Sequence, residues 1–263
     1  MIELSTCVEE NAKLIKIGQI LLFTTVEKCK FARQKYRESM KIAILAAMDK
    51  EMALLESMLE SPHATEAEGV KCLEGRIGEH EVLLARCGIG KVNAALGTLR
   101  VIRAHRPELV INSGVAGGAG GLGIGSLLVA GLVAYHDVWC GPGTVEGAAD
   151  GYPLFFEPSA RVLEVARRQI PSADFGLIAT GDRFISRCEE VEEILRVLPE
   201  AVALDMESAA IAQTCASEGV EFAIVRVVSD TPGQGENIEQ YKDFWTAAPQ
   251  TTFGALRTIL SSL

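Results

Sequence analysis

From Lys41 onward, short apolar runs alternate with stretches that repeat an apolar side chain every three or four positions. Ile42 to Ala47 is an unbroken apolar run of strand length, and the next stretch, 50–59, carries Met52, Leu55, Met58 and Leu59 at helical spacing. The same reading predicts strands over 81–86, 109–112, 126–134, 176–180, 201–205 and 222–228. It predicts helices over 91–105, 159–169, 188–198 and 207–218, and a last helix after Pro249. Pro107 ends the helix 91–105, because proline cannot supply the next backbone donor. Strand–helix alternation at this density, without repeats or low-complexity linkers, predicts one α/β domain over residues 40–263.

Residues 1–39 break the pattern. They carry seven Lys/Arg against five Asp/Glu, a net +2, whereas the whole chain of 263 residues carries −10. The apolar stretch 14–26 contains Lys16 and falls short of the roughly 20 residues a membrane span needs. Acidic Glu3, Glu9 and Glu10 precede it, where a secretory signal would put positive charge. The segment reads as an appended arm or an upstream translation start, dispensable for activity, because Met40-Lys41-Ile42-Ala43-Ile44 resembles a protein's own beginning. An integral first helix is the other reading.

Charge narrows the chemistry. With 25 Lys+Arg against 35 Asp+Glu, the chain lacks the concentrated positive field that nucleic acid or an acidic membrane would require. Seven scattered cysteines without a Cys-x-x-Cys pair suggest reduced thiols and a cytoplasmic protein. Four histidines share no ligand spacing with them, so neither a metal nor another cofactor is expected. His136, in Tyr-His-Asp, reads as a structural or interface residue.

Two glycine-rich stretches invite phosphate-binding readings and fail their own tests. Gly118, Gly120 and Gly123 match G-x-G-x-x-G, but 126–130 continues as a strand, whereas a dinucleotide loop must open a helix. They read instead as a flexible loop beneath a small-molecule pocket. Gly88-Ile89-Gly90-Lys91 lacks the upstream glycine and the Ser/Thr of a P-loop, since Ala85 and Val92 stand there.

Acids just after apolar strands carry more weight, because ligands of open α/β sheets bind beyond the carboxyl ends of the strands. Glu51 follows the first strand, Glu207 follows Ala203-Leu204-Asp205-Met206, and Asp230 ends Val225-Arg226-Val227-Val228-Ser229-Asp230. Each also fits a plainer role. Glu51 and Glu207 suit the first turn of a helix, and Asp230 could cap a turn.

Taken together, seven ordered blocks resemble the 5'-methylthioadenosine/S-adenosylhomocysteine nucleosidases of the purine nucleoside phosphorylase superfamily. They are MKIAILAAMDKE (40–51), GIGKVNAALG (88–97), INSGVAGG (111–118), YHD (135–137), GDRFI (181–185), LDMESA (204–209) and VRVVSD (225–230). The resemblance spans essentially all of 40–263. It implies a three-layer αβα fold around a central mixed, twisted sheet, and hydrolysis of the N-glycosidic bond of 5'-substituted adenine nucleosides. Asp230 would then be the acid at adenine N7, with Ser229 beside it, and Glu51 would activate water. Glu207 would hold the ribose hydroxyls, with Met206 under the sugar. Phe184 would stack on the purine, the Ile185 backbone would read its edge, Ile89 and Tyr241 would line the sugar pocket, and Arg226 would steady the acid region. Outside the matched blocks, Phe184, Ile185, Met206 and Ile89 would be ordinary core residues.

The chain departs from the family's pattern at two places. Val115 stands where the family usually has Ser, and 140–152 matches poorly. In the family that loop comes from the neighbouring subunit of a homodimer and covers the 5' group, so the tolerated 5' substituent is open. A phosphorolytic relative, a 6-amino-6-deoxyfutalosine hydrolase and a non-catalytic storage protein are the other readings. Asn112, where a phosphorylase has an arginine, and the intact trio Glu51, Glu207 and Asp230 weigh against the first and the last.

Overall fold

A computed structural model describes residues 39–263, apart from Ala248 and the side chains of 246–253. The expectations for residues 1–38 therefore lie outside the described residues. Strand β1 (Lys41–Ala46) is apolar on both faces because both are covered. Ala43 and Leu45 point toward α2 (Lys91–His105) and α5 (Ser208–Glu218). Ile42 and Ile44 point toward α1 (Asp49–Glu56), α3 (Ala160–Gln169) and α7 (Pro249–Leu260). Period-two alternation thus feeds two separate cores, which is the physical content of an αβα sandwich. A third cluster seats α4 (Cys188–Val197) through Ile194 on Leu177 and Ala179.

Among the described residues the sheet has nine strands. Strand β1 pairs in parallel with β4 (His80–Arg86) and with β5 (Leu109–Gly118), while β2 (Glu60–Ala67) and β3 (Val70–Ile77) extend the β4 edge as antiparallel neighbours. Beyond β5 the sheet closes on itself. Strand β5 pairs with both β8 (Ala201–Asp205) and β9 (Glu221–Asp230), β9 with β6 (Leu127–Tyr135), β6 with β7 (Asp174–Thr180), and β7 with β8. This ring brings the C-terminal ends of β5, β8 and β9 to one place.

Most predicted elements stand within a few residues of their expected limits, and 91–105 is reproduced end to end. The terminators follow ordinary chemistry: Arg106 before Pro107 and Gly219 after α5 both take left-handed backbone that closes their helices. Strand β5 runs six residues past the predicted 109–112. Gly117 and Gly118 therefore belong to a strand and not to a flexible loop, and only 119–126 forms the connection to β6. No helix opens after that connection. The hairpin β2–β3 and helix α6 (Asn237–Ala247) have no counterpart in the predicted elements.

Candidate active site

At the convergence of β5, β8 and β9 lies a cleft enclosing about 680 Å³, part of it open to solvent. That size suits a small molecule. Glu51, Ile89, Phe184, Ile185, Met206, Glu207, Ser229, Asp230 and Tyr241 all line it, so nine of the ten predicted site residues meet in one place. Arg226 is the exception. It is fully buried beneath the wall, where its guanidinium pairs with Asp205 (2.8 Å) and donates to Ser208 and to Asn112.

Glu51 sits in the first turn of α1, and its side chain folds back over the helix start. Its Oε2 accepts the N–H groups of Ala47 (2.8 Å) and Met48 (3.0 Å), and its Oε1 accepts the N–H of Val115 (3.2 Å) from β5. The plain helix-start role and the pocket position are thus one arrangement, which fixes the carboxylate against rotation. Burial raises its pKa, opposed by the nearby Arg226 charge and by those backbone donors. Glycine at 114 is a requirement of this contact, since a Cβ there would come within 2.5 Å of Oε1.

Glu207 lies between β8 and α5. Its Oε1 accepts the N–H of Gly90 (2.9 Å), at the start of α2. Burial, and then repulsion by Asp205, pushes its pKa up to about 7. Asp182 accepts the next N–H, that of Lys91 (2.7 Å), so two acids hold the Ile89 turn against the cleft.

Asp230 ends β9. Its Oδ1 accepts from the Ser229 hydroxyl (2.7 Å) and its Oδ2 from the Asn237 amide (3.0 Å). Burial raises its pKa, and these two donors oppose the rise. Over the mouth, Phe184 is 46% exposed and meets Tyr241 edge-on, with centroids 5.8 Å apart. An aromatic face left open beside buried acids suits a planar ring that supplies the missing partner.

The sequence profile of the phosphorylase superfamily matches residues 41–261. A 5'-methylthioadenosine/S-adenosylhomocysteine nucleosidase from Hydrogenovibrio crunogenus is 38% identical over 213 residues, which cover 78% of this chain and 92% of that protein. The chain belongs to the 5'-methylthioadenosine/S-adenosylhomocysteine nucleosidases. Among solved structures, the nucleosidase of Colwellia psychrerythraea in complex with adenine has a TM-score of 0.82 at 32% identity, over 87% of this chain and 97% of that one. That of Neisseria meningitidis in complex with methylthio-immucillin-A has 0.81 at 34%, over 85% and 99%.

In this nucleosidase several site residues escaped the sequence reading. Asp205 lines the cleft while pairing with Arg226, and its Oδ1 accepts from Thr180 (2.6 Å). Its position after an apolar strand was the available signal, masked by Glu207 two residues on. Asn237 and Arg183 had no such signal. Arg183 also lines the cleft, but its guanidinium pairs with Glu190. His136 lies outside the cleft, packed against Gly181, and burial lowers its pKa.

Proposed function

We propose that the protein hydrolyses the N-glycosidic bond of 5'-substituted adenine nucleosides of the 5'-methylthioadenosine and S-adenosylhomocysteine type, releasing adenine and the 5'-substituted ribose. The observation that carries this reading is the meeting of three buried carboxylates, each tied to a different strand end and held by a different set of hydrogen-bond donors, around one cleft. Cleavage needs a proton on the leaving base, stabilisation of an oxocarbenium-like ribose and a deprotonated water. Asp230, whose raised pKa favours the protonated form, gives its proton to adenine N7. Glu207 accepts hydrogen bonds from the ribose hydroxyls, and its charge lies beside the developing cation. Glu51, held by three backbone donors, orients the attacking water and takes its proton. Phe184 stacks on the purine, the Ile185 backbone reads its edge, Met206 lies under the sugar, and Ile89 and Tyr241 line the 5' side.

Water is favoured over phosphate on electrostatic grounds. A phosphate dianion needs guanidinium groups free to grip it. Arg226 is already engaged by Asp205, Asn112 and Ser208, and Arg183 by Glu190. Glu51 adds a repelling carboxylate. The test is adenine release from a panel of 5'-substituted adenosines with and without phosphate. Equal rates, highest for 5'-thioethers, are expected. A rate proportional to phosphate would assign a phosphorylase, and preference for another 5' group would reassign the substrate.

The catalytic unit in this proposal is 40–263, with 1–39 appended, and it works as a homodimer in the cytoplasm. Val92 and Leu96 on α2, and Trp139 and Val145 in the following β6–α3 loop, are exposed apolar side chains that association would cover. No described helix is long and apolar enough to cross a membrane.

A further inference from the structure

Asn237 opens α6 and is 1% exposed, although no substrate group is assigned to it. Both hydrogens of its amide are used. Nδ2 donates to Asp230 Oδ2 at 3.0 Å and to the Ile185 carbonyl at 3.1 Å, across 52 residues of chain. The reverse amide orientation would turn an oxygen toward a carboxylate and a carbonyl, so these two acceptors admit one rotamer state. We infer that Asn237 is a positioning residue that locks the proton donor and the purine-reading backbone into one frame.

The inference rests on the reading of Asp230 as the acid and deepens it. An amide N–H can only donate, so at Oδ2 it favours the carboxylate that remains after the proton has left. Ser229 differs, because its hydroxyl lies 2.7 Å from Oδ1 and 3.4 Å from the Ala116 carbonyl and can turn between them. Oδ1 is therefore the oxygen free to carry the proton, with the hydroxyl turned away, and Oδ2 the oxygen that anchors the group. The same amide holds the Ile185 carbonyl, which keeps a second lone pair for a purine amino group. Base recognition and base protonation then share one rigid bridge, and a purine seated by Ile185 finds the acid at a fixed distance.

The cleft's other titratable groups are Glu51 on α1, Arg183 before α4, Asp205 and Glu207 after β8, and Tyr241 on α6. Among the described residues the hydrogen bonds to the Asp230 carboxylate come from Ser229 and Asn237. Removing the amide should therefore raise the Asp230 pKa, and the high-pH limb of kcat reports it, because activity fades as the acid deprotonates.

The test compares kcat and KM against pH for wild type, Asn237→Ala and the near-isosteric Asn237→Asp, using 5'-methylthioadenosine. In Asn237→Ala the high-pH limb should move up by about one pH unit while kcat at neutral pH falls about 10-fold. Asn237→Asp should shift it at least as far in the same direction, since it sets a second carboxylate against the first. It also serves where the alanine variant does not fold. A high-pH limb that stays in place in a folded variant overturns the inference, even if kcat falls. Asp230→Asn is run alongside. If that variant is active, the acid assignment fails. If it is inactive and the limb is unmoved, only the role of Asn237 fails.

Discussion

Asp230→Asn keeps the shape of the site and removes the proton. Turnover should fall about 100- to 10,000-fold, while the binding of a nucleoside, measured by calorimetry, survives. A variant retaining a tenth of the wild-type rate would contradict the acid role. Glu207 makes a different prediction, because its folded pKa of about 7 lies above the ordinary 4.5. The native state then binds the proton more tightly than the unfolded chain. Stability from this group is fully present below about pH 4.5 and is lost as pH rises through 7, by on the order of 3 kcal/mol. Glu207→Gln cannot ionise, so its melting temperature should exceed that of wild type increasingly from pH 5 to 8, at the expense of activity. A pH-independent difference would mean that Glu207 is not buried as a carboxyl. The three acids were legible in the sequence because each stands within three residues of the end of an apolar run, where strand ends place a ligand. Asp205 and Asn237 were not. Asp205 follows its apolar strand directly but is masked by Glu207 two residues on, and Asn237 acts through partners brought in by the fold.

At the scale of elements, hydrophobic period did most of the work, and its failures share a cause. Strand β2 reads Glu-Ser-Pro-His-Ala-Thr-Glu-Ala and is exposed along most of its length, so it has no apolar face to announce it. Its hairpin turns at Glu68 and Gly69, both at positive φ, without the Asn-Gly or Asp-Gly that would signal it. Helix α6 leaves Ile238 half exposed, while Tyr241 lines the cleft. Its apolar positions are placed for the site as much as for the core. Helix α2 forms over its predicted range 91–105, and Gly97 explains its close seat. A Cβ at 97 would stand 2.8 Å from Cys87 Cα, which is backbone and cannot swing away. Gly97→Ala gains up to about 1 kcal/mol of helix propensity but must push α2 off β4, costing about 1–3 kcal/mol. Chemical denaturation should show a net loss of stability. An unchanged or higher midpoint would mean that the helix rides further from the sheet.

For the whole molecule, the closing of the sheet is what converts separate strand ends into a site. Ring closure depends on the antiparallel pairings β5–β8 and β6–β9, which no local pattern encodes, so the pattern alone made only an α/β domain legible and the αβα layering came through resemblance. The same scale holds the prediction about association. Trp139 and Val145 are 61% and 58% exposed in a loop that the isolated chain leaves uncovered. Sedimentation should give a dimer, and Trp139→Glu together with Leu96→Glu should dissociate it and raise KM. A fully active monomer at assay concentration would contradict the homodimer.

The central claim is that buried carboxylates direct water, and not phosphate, to the anomeric carbon. The most direct measurement follows 5'-methylthioadenosine turnover in heavy-oxygen water containing phosphate and identifies the sugar by mass. One heavy oxygen on free 5-methylthioribose, at a rate indifferent to phosphate, is the result predicted here. A sugar 1-phosphate without solvent oxygen would contradict it.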